Sequence, residues 1–235
     1  MDGTLADLSS AYAEIEERLF GAVEVEHEQP APETREVEQH DDDVGASPTV
    51  LTSRRQTERR SSPRSATRHR SRVWTEIEAT PNFWTTLKPI DDRAVKRLYQ
   101  LTGDHNWEVF FITQRPATAG GTVQSQTHKW LVEQGFLTPS VIPLSAGRGQ
   151  AASALRLDYL VDDTPQNCVD VVSDSSTRAI LLVDPDDPLA ATSARRLGIG
   201  TAQNIQEVLD LLVQATAARA NPSLFEKLRK LVGWK

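Results

Sequence analysis

Cysteine and aromatic residues are scarce in this chain. Among its 235 residues there is one cysteine, Cys168, and only 6% are Phe, Trp or Tyr. A single cysteine excludes an intrachain disulfide and favours a reducing compartment, so we expect a cytoplasmic protein. No apolar run approaches the roughly 18 residues that a membrane-spanning helix needs. No charged-then-apolar leader precedes the first motif, so we expect neither a secretory signal nor a membrane partner.

Hydrophobic residues are also few for a compact domain. They make up 38% of the chain, and the mean hydropathy is -0.44. The length is sufficient for one ordinary α/β domain with a sizeable core, so the low content indicates that part of the chain does not fold. The net charge of -7 gives no general attraction to nucleic acid.

Two oppositely charged stretches lie next to each other in the first third of the chain. Residues 24–43 are acidic and residues 54–72 are rich in arginine, and both have few large apolar side chains. Such segments cannot bury enough surface to offset the entropy of ordering. We therefore predict a disordered charged insert at 27–72. Its arginines could bind nucleic acid or another acidic partner, but we favour a solvated, self-neutralising linker and expect no nucleic-acid partner.

Strand-like and helix-like segments alternate along the rest of the chain. Short apolar runs predict strands at 108–112, 141–144, 159–161 and 179–183. Helical spacing of apolar residues predicts helices at 8–23, 91–101, 122–134, 149–155, 205–218 and 222–232. This alternation predicts a Rossmann-like α/β fold, a parallel sheet with helices on both faces. Ligands of such sheets bind outside the carboxyl ends of the strands.

Polar residues follow the predicted strands at those ends. Asp162 and Asp163 are adjacent carboxylates, which favours Mg²⁺ because the cation relieves their repulsion. The same Asp-Asp-Thr-Pro run is also good chemistry for the start of a helix. Thr113 could donate to a phosphate oxygen, and Arg148 or Arg115 could pair with phosphate through two hydrogen bonds. Each of these three residues, taken alone, is also explained as structural or surface-exposed.

Four segments together resemble the haloacid dehalogenase-like phosphohydrolase superfamily. The first motif of the superfamily is resembled by Asp2-Gly3-Thr4-Leu5-Ala6-Asp7, without the leading aspartate. The second motif is resembled by Phe111-Ile112-Thr113-Gln114-Arg115-Pro116. Arg148-Gly149 followed by Val161-Asp162-Asp163-Thr164-Pro165-Gln166-Asn167 resembles the third and fourth. The resemblance spans residues 2–7 and about 74–210. Together with Phe83-Trp84-Thr85-Thr86-Leu87, it is most similar to the 5'-nucleotidase-like branch.

The resemblance implies a Mg²⁺-dependent phosphomonoesterase, with nucleoside 5'-monophosphates as one candidate substrate, that works through an aspartyl-phosphate. Asp2 would be the general acid and base. Thr113 and Arg148, which stands where the superfamily usually has lysine, would stabilise the phosphoryl charge. Mg²⁺ would be held by Asp2, through its backbone carbonyl, and by Asp162, with support from Asp163.

The nucleophilic aspartate of the superfamily would stand two positions before Asp2, and Met1 occupies the position between them. We expect the true protein to begin several residues earlier, with a central apolar strand that ends in this aspartate. The chain from Met1 would then lack its first central strand and be inactive. A non-catalytic relative that binds a phosphorylated ligand, and an interaction protein organised around the charged insert, are the alternatives.

The same reasoning divides the chain into four parts. Residues 1–26 would hold the first motif and the first helix of a small cap, followed by the charged insert at 27–72. Residues 73–218 would form the α/β core with the rest of the cap. Residues 219–235 would form a C-terminal amphipathic helix.

Overall fold

A computed structural model of the protein describes residues 1–21, 63–145 and 147–219, together with Lys230 and Trp234. The α-helices in this part of the chain are α1 (Leu8–Phe20), α2 (Pro63–Ala79), α3 (Ala94–His105), α4 (Val123–Glu133), α5 (Arg148–Leu155), α6 (Pro165–Asp174), α7 (Pro188–Arg196) and α8 (Ile205–Ala218). The strands are β1 (Phe110–Thr113), β2 (Ser140–Pro143), β3 (Tyr159–Asp162), β4 (Arg178–Leu182) and β5 (Gly200–Ala202). A short 3₁₀ turn covers Phe83–Thr85.

The described strands form two small parallel sheets. One contains β1 and β2, and the other has the order β3-β4-β5. All pairs are parallel, and α-helices lie between successive strands in the chain, so the predicted α/β class is confirmed. Within the described residues β2 pairs with β1 alone, as the proline at its end predicts, since Pro143 has no backbone N–H to donate.

Both faces of the strands are buried, by two separate hydrophobic clusters. Ile180 of β4 packs in a cluster that includes Leu98 of α3 and Leu209 of α8. Its neighbour Leu181 packs in the other, with Cys168 of α6. Successive side chains of a strand point to opposite faces, so this division shows that β4 has a core on each side.

A cavity of about 470 Å³ lies between the two sheets. Its long walls are β1 and β3, with the side chains of Phe111 and Val161 among its lining. Met1, Thr4 and Leu5 also line it. Neighbouring strands in a sheet are about 4.8 Å apart. In the described residues the facing edges of β1 and β3 belong to different sheets, which leaves the cavity between them.

Helix α2 begins before the predicted end of the charged insert. The sequence places that end at residue 72, whereas α2 starts at Pro63, so residues 63–72 are helical. Val73 and Ile77 are fully buried and anchor the helix. Its arginine-rich first half is supported by Phe20 of α1, which stacks with His69 at 4.1 Å between ring centroids. The rest of the insert and most of the predicted C-terminal helix lie outside the described residues.

Three elements that the apolar pattern did not predict are α6, α7 and β5. Both helices begin with proline, whose fixed φ suits the first helical position. Asp187 caps α7, because its Oδ1 accepts from the Ala190 amide at 3.0 Å. Strand β5 is Gly200-Thr201-Ala202, which is too short and too poor in large apolar residues to show in the sequence.

Gly149 allows α5 and α6 to pack closely. A Cβ at this position would lie 2.3 Å from the Asp170 carbonyl oxygen and 2.6 Å from the Asp174 Cβ. We expect Gly149→Ala to lower the free energy of unfolding by about 1–3 kcal/mol, the usual result of overpacking. The measurement is urea denaturation at equilibrium.

Gly103→Ala is the matched control for this prediction. Gly103 lies inside α3, and nothing stands within 4 Å of the position that an added Cβ would take. This change should raise the free energy of unfolding by about 0.5–1 kcal/mol, because alanine favours the helix. Equal effects of the two substitutions would contradict a close α5–α6 approach.

No helix among the described residues has both the length and the apolar character needed to cross a membrane.

Candidate functional site

The loop before α1 is held in a tight turn by backbone hydrogen bonds. The Met1 carbonyl oxygen accepts from the amides of Thr4 at 3.3 Å, Leu5 at 2.8 Å and Ala6 at 3.1 Å. Gly3 has a φ of +71°, and a Cβ there would lie 2.0 Å from Asp163 Oδ2. Glycine is therefore required at position 3 for two reasons. The backbone has a left-handed conformation, and any side chain would collide with the Asp163 carboxylate.

This loop meets the carboxyl ends of β1 and β3 at a pocket of about 320 Å³. All five residues predicted from the sequence line this pocket: Asp2, Thr113, Arg148, Asp162 and Asp163. Its position is where ligands bind in parallel α/β sheets. The structure therefore brings the predicted residues together, although they come from four separate segments of the chain.

Asp2 is paired with Arg115. Arg115 Nε donates to Asp2 Oδ1 at 3.1 Å and Oδ2 at 3.0 Å, and Arg115 Nη2 donates to Oδ1 at 2.5 Å. The Arg115 side chain has no exposed surface, whereas 22% of the Asp2 side chain is exposed. Both residues line the pocket, and Asp2 is the member of this pair with exposed side-chain surface.

Two further groups fix the Arg115 guanidinium. Arg115 Nη1 donates to Thr127 Oγ1 at 3.0 Å, and the guanidinium carbon lies 4.8 Å from the centroid of the Trp84 ring. Thr127 and Trp84 are both fully buried. From the sequence alone, Arg115 could be either a phosphate-binding residue or a structural or surface arginine. Its contacts with Thr127 and Trp84, 12 and 31 positions away, gave no signal in the sequence.

A second guanidinium–carboxylate pair lies on the other side of the pocket. Arg148 Nε donates to Asp162 Oδ2 at 3.3 Å, and the two side chains are 8% and 7% exposed. Arg148 Nη1 is buried and has no hydrogen-bond partner among the described residues. A buried, unpartnered guanidinium nitrogen is costly, and at a pocket it indicates a site for an anion.

Asp162 is held by two further donors. Its Oδ1 accepts from the Thr164 amide at 2.9 Å and from Asn167 Nδ2 at 3.0 Å. Asp162 therefore orders the start of α6, as one of the two interpretations of the Asp-Asp pair predicts, and it also lines the pocket.

Asp163 is less tightly held. Its Oδ1 accepts from Thr4 Oγ1 at 3.4 Å, and Asp163 is exposed to solvent. The pKa of Asp163 is raised above its ordinary value, foremost by partial desolvation and also by the nearby charge of Asp162. A cation beside Asp163 would offset both effects, because it favours the ionised carboxylate.

Cys168 lies on α6 close to the same carboxylates. Burial raises the pKa of its thiol to about 12, and the charges of Asp162 and Asp163 act in the same direction. A buried thiol with a raised pKa is a poor nucleophile, and Cys168 is not among the residues that line the pocket.

The carboxylates have the oxygen chemistry that Mg²⁺ prefers. Mg²⁺ sites in proteins commonly use one or two carboxylates, with waters and substrate phosphate completing the shell. Asp162 and Asp163 fit that protein contribution. Among the described residues, however, no three His, Cys, Asp or Glu side chains are gathered closely enough to hold a metal by themselves.

Comparison with protein-family models, with curated proteins and with solved structures gives no match for this chain. Inferences about its function therefore depend on the residues and geometry of the pocket.

The raised pKa of Asp163 has a consequence for stability. The folded chain binds this proton more tightly than the unfolded chain, so the ionised carboxylate destabilises the fold above its folded pKa. The destabilisation is relieved as the pH falls through that pKa and is gone below the ordinary value of 3.8. We expect Asp163→Asn to raise the urea midpoint at pH 7 and to leave it unchanged below pH 3.8.

Asp186→Asn is the control, because it removes the same charge from an exposed turn. It should not reproduce the pH-dependent difference. An Asp163→Asn chain that is less stable than the parent at pH 7 would contradict the desolvation of this carboxylate.

Proposed function

We propose that the pocket binds the phosphoryl group of a phosphomonoester and that the protein is a phosphohydrolase. The observation that carries this proposal is the buried, unpartnered Nη1 of Arg148, a residue that lines the pocket together with Thr113 and the carboxylates. A phosphate oxygen would accept from this nitrogen and from the Thr113 hydroxyl. Guanidinium groups bind phosphate strongly because their donors match its geometry.

The charges at the pocket support a requirement for a divalent cation. The side chains of Asp2, Asp162 and Asp163 against those of Arg115 and Arg148 leave one excess negative charge, and none when Asp2 holds the proton that it is proposed to donate. A phosphate dianion would make the pocket negative in either case. Mg²⁺ bound by Asp162 and Asp163 would supply the neutralising charge and polarise the phosphoryl oxygens.

The side chains have distinct roles in the proposed hydrolysis. A carboxylate attacks phosphorus, and the bond from phosphorus to the leaving oxygen breaks. Asp2 donates the proton that this oxygen takes up, and then accepts one from the water that cleaves the acyl phosphate to carboxylate and inorganic phosphate. Arg148 and Thr113 stabilise the charge on the phosphoryl oxygens throughout.

The attacking carboxylate would come from a residue that precedes Met1. Burial is the foremost cause of the lowered pKa of the Met1 amine, while the charges of Asp2, Asp162 and Asp163 oppose the shift. A peptide extended from this nitrogen starts among the site carboxylates. The cavity between β1 and β3 begins beside Met1 and runs along both strand edges. An extended segment there would join the two sheets into one.

The far wall of the pocket fits the organic part of a substrate. Leu8 and Ser9 of α1 and Trp74 of α2 line it, and Tyr12 packs edge-on against Trp74 at 6.0 Å. An indole at the pocket suits stacking with a planar ring. Nucleoside 5'-monophosphates combine a planar base with a phosphate, and we propose them as the first substrates to test. We also propose a cytoplasmic location.

A phosphate-binding protein without catalysis is the second candidate. What favours it is that Asp2 and Asp162 both accept hydrogen bonds from arginine in the described chain, and neither is free to attack phosphorus. The two candidates share the same phosphate site. They differ in whether hydrolysis follows binding.

The shared phosphate site is tested by calorimetric titration of inorganic phosphate in the presence of Mg²⁺. Arg148→Ala should weaken phosphate binding about 10-fold to 100-fold, because a hydrogen bond to a charged group contributes roughly 1.5–3 kcal/mol. Asp162→Asn should weaken Mg²⁺ binding. Arg196→Ala, which removes an exposed arginine from α7, should change neither. Equal phosphate affinity in the Arg148 and Arg196 variants would contradict the site.

Hydrolysis is tested on a chain extended through the codons that precede Met1. We expect this chain to hydrolyse 4-nitrophenyl phosphate in Mg²⁺ and to lose the activity when the aspartate two positions before Asp2 is changed to Asn. Phosphate binding without hydrolysis would establish the second candidate. Upstream codons that encode neither an apolar strand nor this aspartate would contradict the catalytic proposal.

A further inference from the structure

The two arginines of the pocket are held very differently. Every nitrogen of the Arg115 guanidinium donates to a protein group, either Asp2 or Thr127. Among the described residues Arg148 makes one hydrogen bond, from Nε to Asp162 Oδ2, at the long distance of 3.3 Å. Its Nη1 is buried and has no partner in that part of the chain. Arg148 is therefore the guanidinium that exchanges its partner more readily.

The two carboxylate oxygens of Asp162 are also unequal. Oδ1 accepts from the Thr164 amide at 2.9 Å and from Asn167 Nδ2 at 3.0 Å, which uses both of its lone pairs. Oδ2 accepts from Arg148 alone within the described chain. A cation that binds Asp162 would thus take Oδ2, the oxygen to which Arg148 donates.

Mg²⁺ and the Arg148 guanidinium compete for Oδ2. A carboxylate oxygen can accept two partners, but Mg²⁺ binds oxygen at about 2.0–2.1 Å and would stand close to a second positive charge. The side chains of Arg148 and Asp162 are 8% and 7% exposed, so little water screens this repulsion. Release of Nε from Asp162 relieves the repulsion, and it leaves the guanidinium free to turn toward an anion.

We propose that Arg148 exchanges between Asp162 and a bound phosphate, and that this exchange couples the binding of phosphate to the binding of Mg²⁺. The inference rests on the proposed function, which brings both ligands to this pocket. Mg²⁺ at Oδ2 displaces Arg148, and the displaced guanidinium donates to the phosphoryl oxygens. Each ligand therefore tightens the binding of the other, and linkage makes the two factors equal.

Direct attraction between the dication and the dianion is the competing explanation. It also makes each ligand favour the other, but it acts between the two ligands and does not depend on Arg148. Loss of the arginine would then leave the coupling factor, the ratio of the phosphate Kd without Mg²⁺ to that with saturating Mg²⁺, unchanged. Exchange predicts a smaller coupling factor, because part of it comes from the release of Arg148.

The coupling factor is measured on the chain from Met1 by calorimetric titration of inorganic phosphate with and without Mg²⁺, or equally of Mg²⁺ with and without phosphate. We expect Arg148→Gln to lower it at least about 10-fold, because the hydrogen bond that is released joins two charged groups. Without phosphate, the same variant should bind Mg²⁺ about 10-fold more tightly, since the competitor for Oδ2 is gone. Arg196→Gln, the same change at an exposed arginine of α7, should alter neither quantity.

The displacement of Arg148 is observed in the unaltered chain as hydrogen exchange of its Nε–H by ¹⁵N NMR, with Arg148→Lys used to identify the signal. Saturating Mg²⁺ should make this exchange at least about 10-fold faster, because the acceptor Oδ2 is taken. The Arg115 Nε–H is the internal control. It keeps both oxygens of Asp2 as acceptors, so Mg²⁺ should leave its exchange unchanged.

The outcomes separate the two proposals. A coupling factor that Arg148→Gln leaves unchanged, or an Arg148 Nε–H whose exchange is unaffected by saturating Mg²⁺, would overturn the exchange of partners and leave the phosphate site standing. A chain that binds neither phosphate nor Mg²⁺ would overturn the phosphate site and the exchange of partners with it.

Discussion

The loop Met1–Asp7 connects two sheets whose facing edges are not paired in the described chain. On one side Asp2 is bound by Arg115, which follows β1. On the other side Thr4 donates to Asp163, which follows β3, and Gly3 packs directly against the same carboxylate. The pocket exists because this loop holds the carboxyl ends of β1 and β3 together around it. The chemistry of the site and the join between the sheets therefore depend on the same few contacts.

Burial of charge explains why the pocket is organised in pairs. Two guanidinium groups with almost no exposed surface could not be retained without carboxylate partners, and Asp2 and Asp162 meet that need. Each nitrogen of Arg115 has a partner, but Arg148 keeps a buried nitrogen, Nη1, without one among the described residues. We propose that this difference leaves Arg148, rather than Arg115, as the arginine that donates to a ligand.

Much of the candidate site could be predicted from the sequence, because strand ends in a parallel sheet converge. Thr113 and Asp162 each end a short apolar run, and the rule that such ends share one edge was enough to place them together. The contacts that fix the Arg115 guanidinium could not be predicted. Thr127 looks like an ordinary residue of an amphipathic helix, and Trp84 looks like ordinary core. Their contact with Arg115 depends on how α4 and the 3₁₀ turn pack on β1, which no local pattern specifies.

The sequence by itself determined the α/β class, the extent of α8 and the residues that meet at the pocket, because apolar periodicity and glycine and proline positions act locally. Tertiary structure decided that residues 63–72 are helical, since α2 depends on the burial of Val73 and Ile77 against the rest of the protein. It also decided which arginine keeps a buried nitrogen without a partner among the described residues. Both arginines carry the same charge, and only their packing, complete around Arg115 and incomplete around Arg148, distinguishes them.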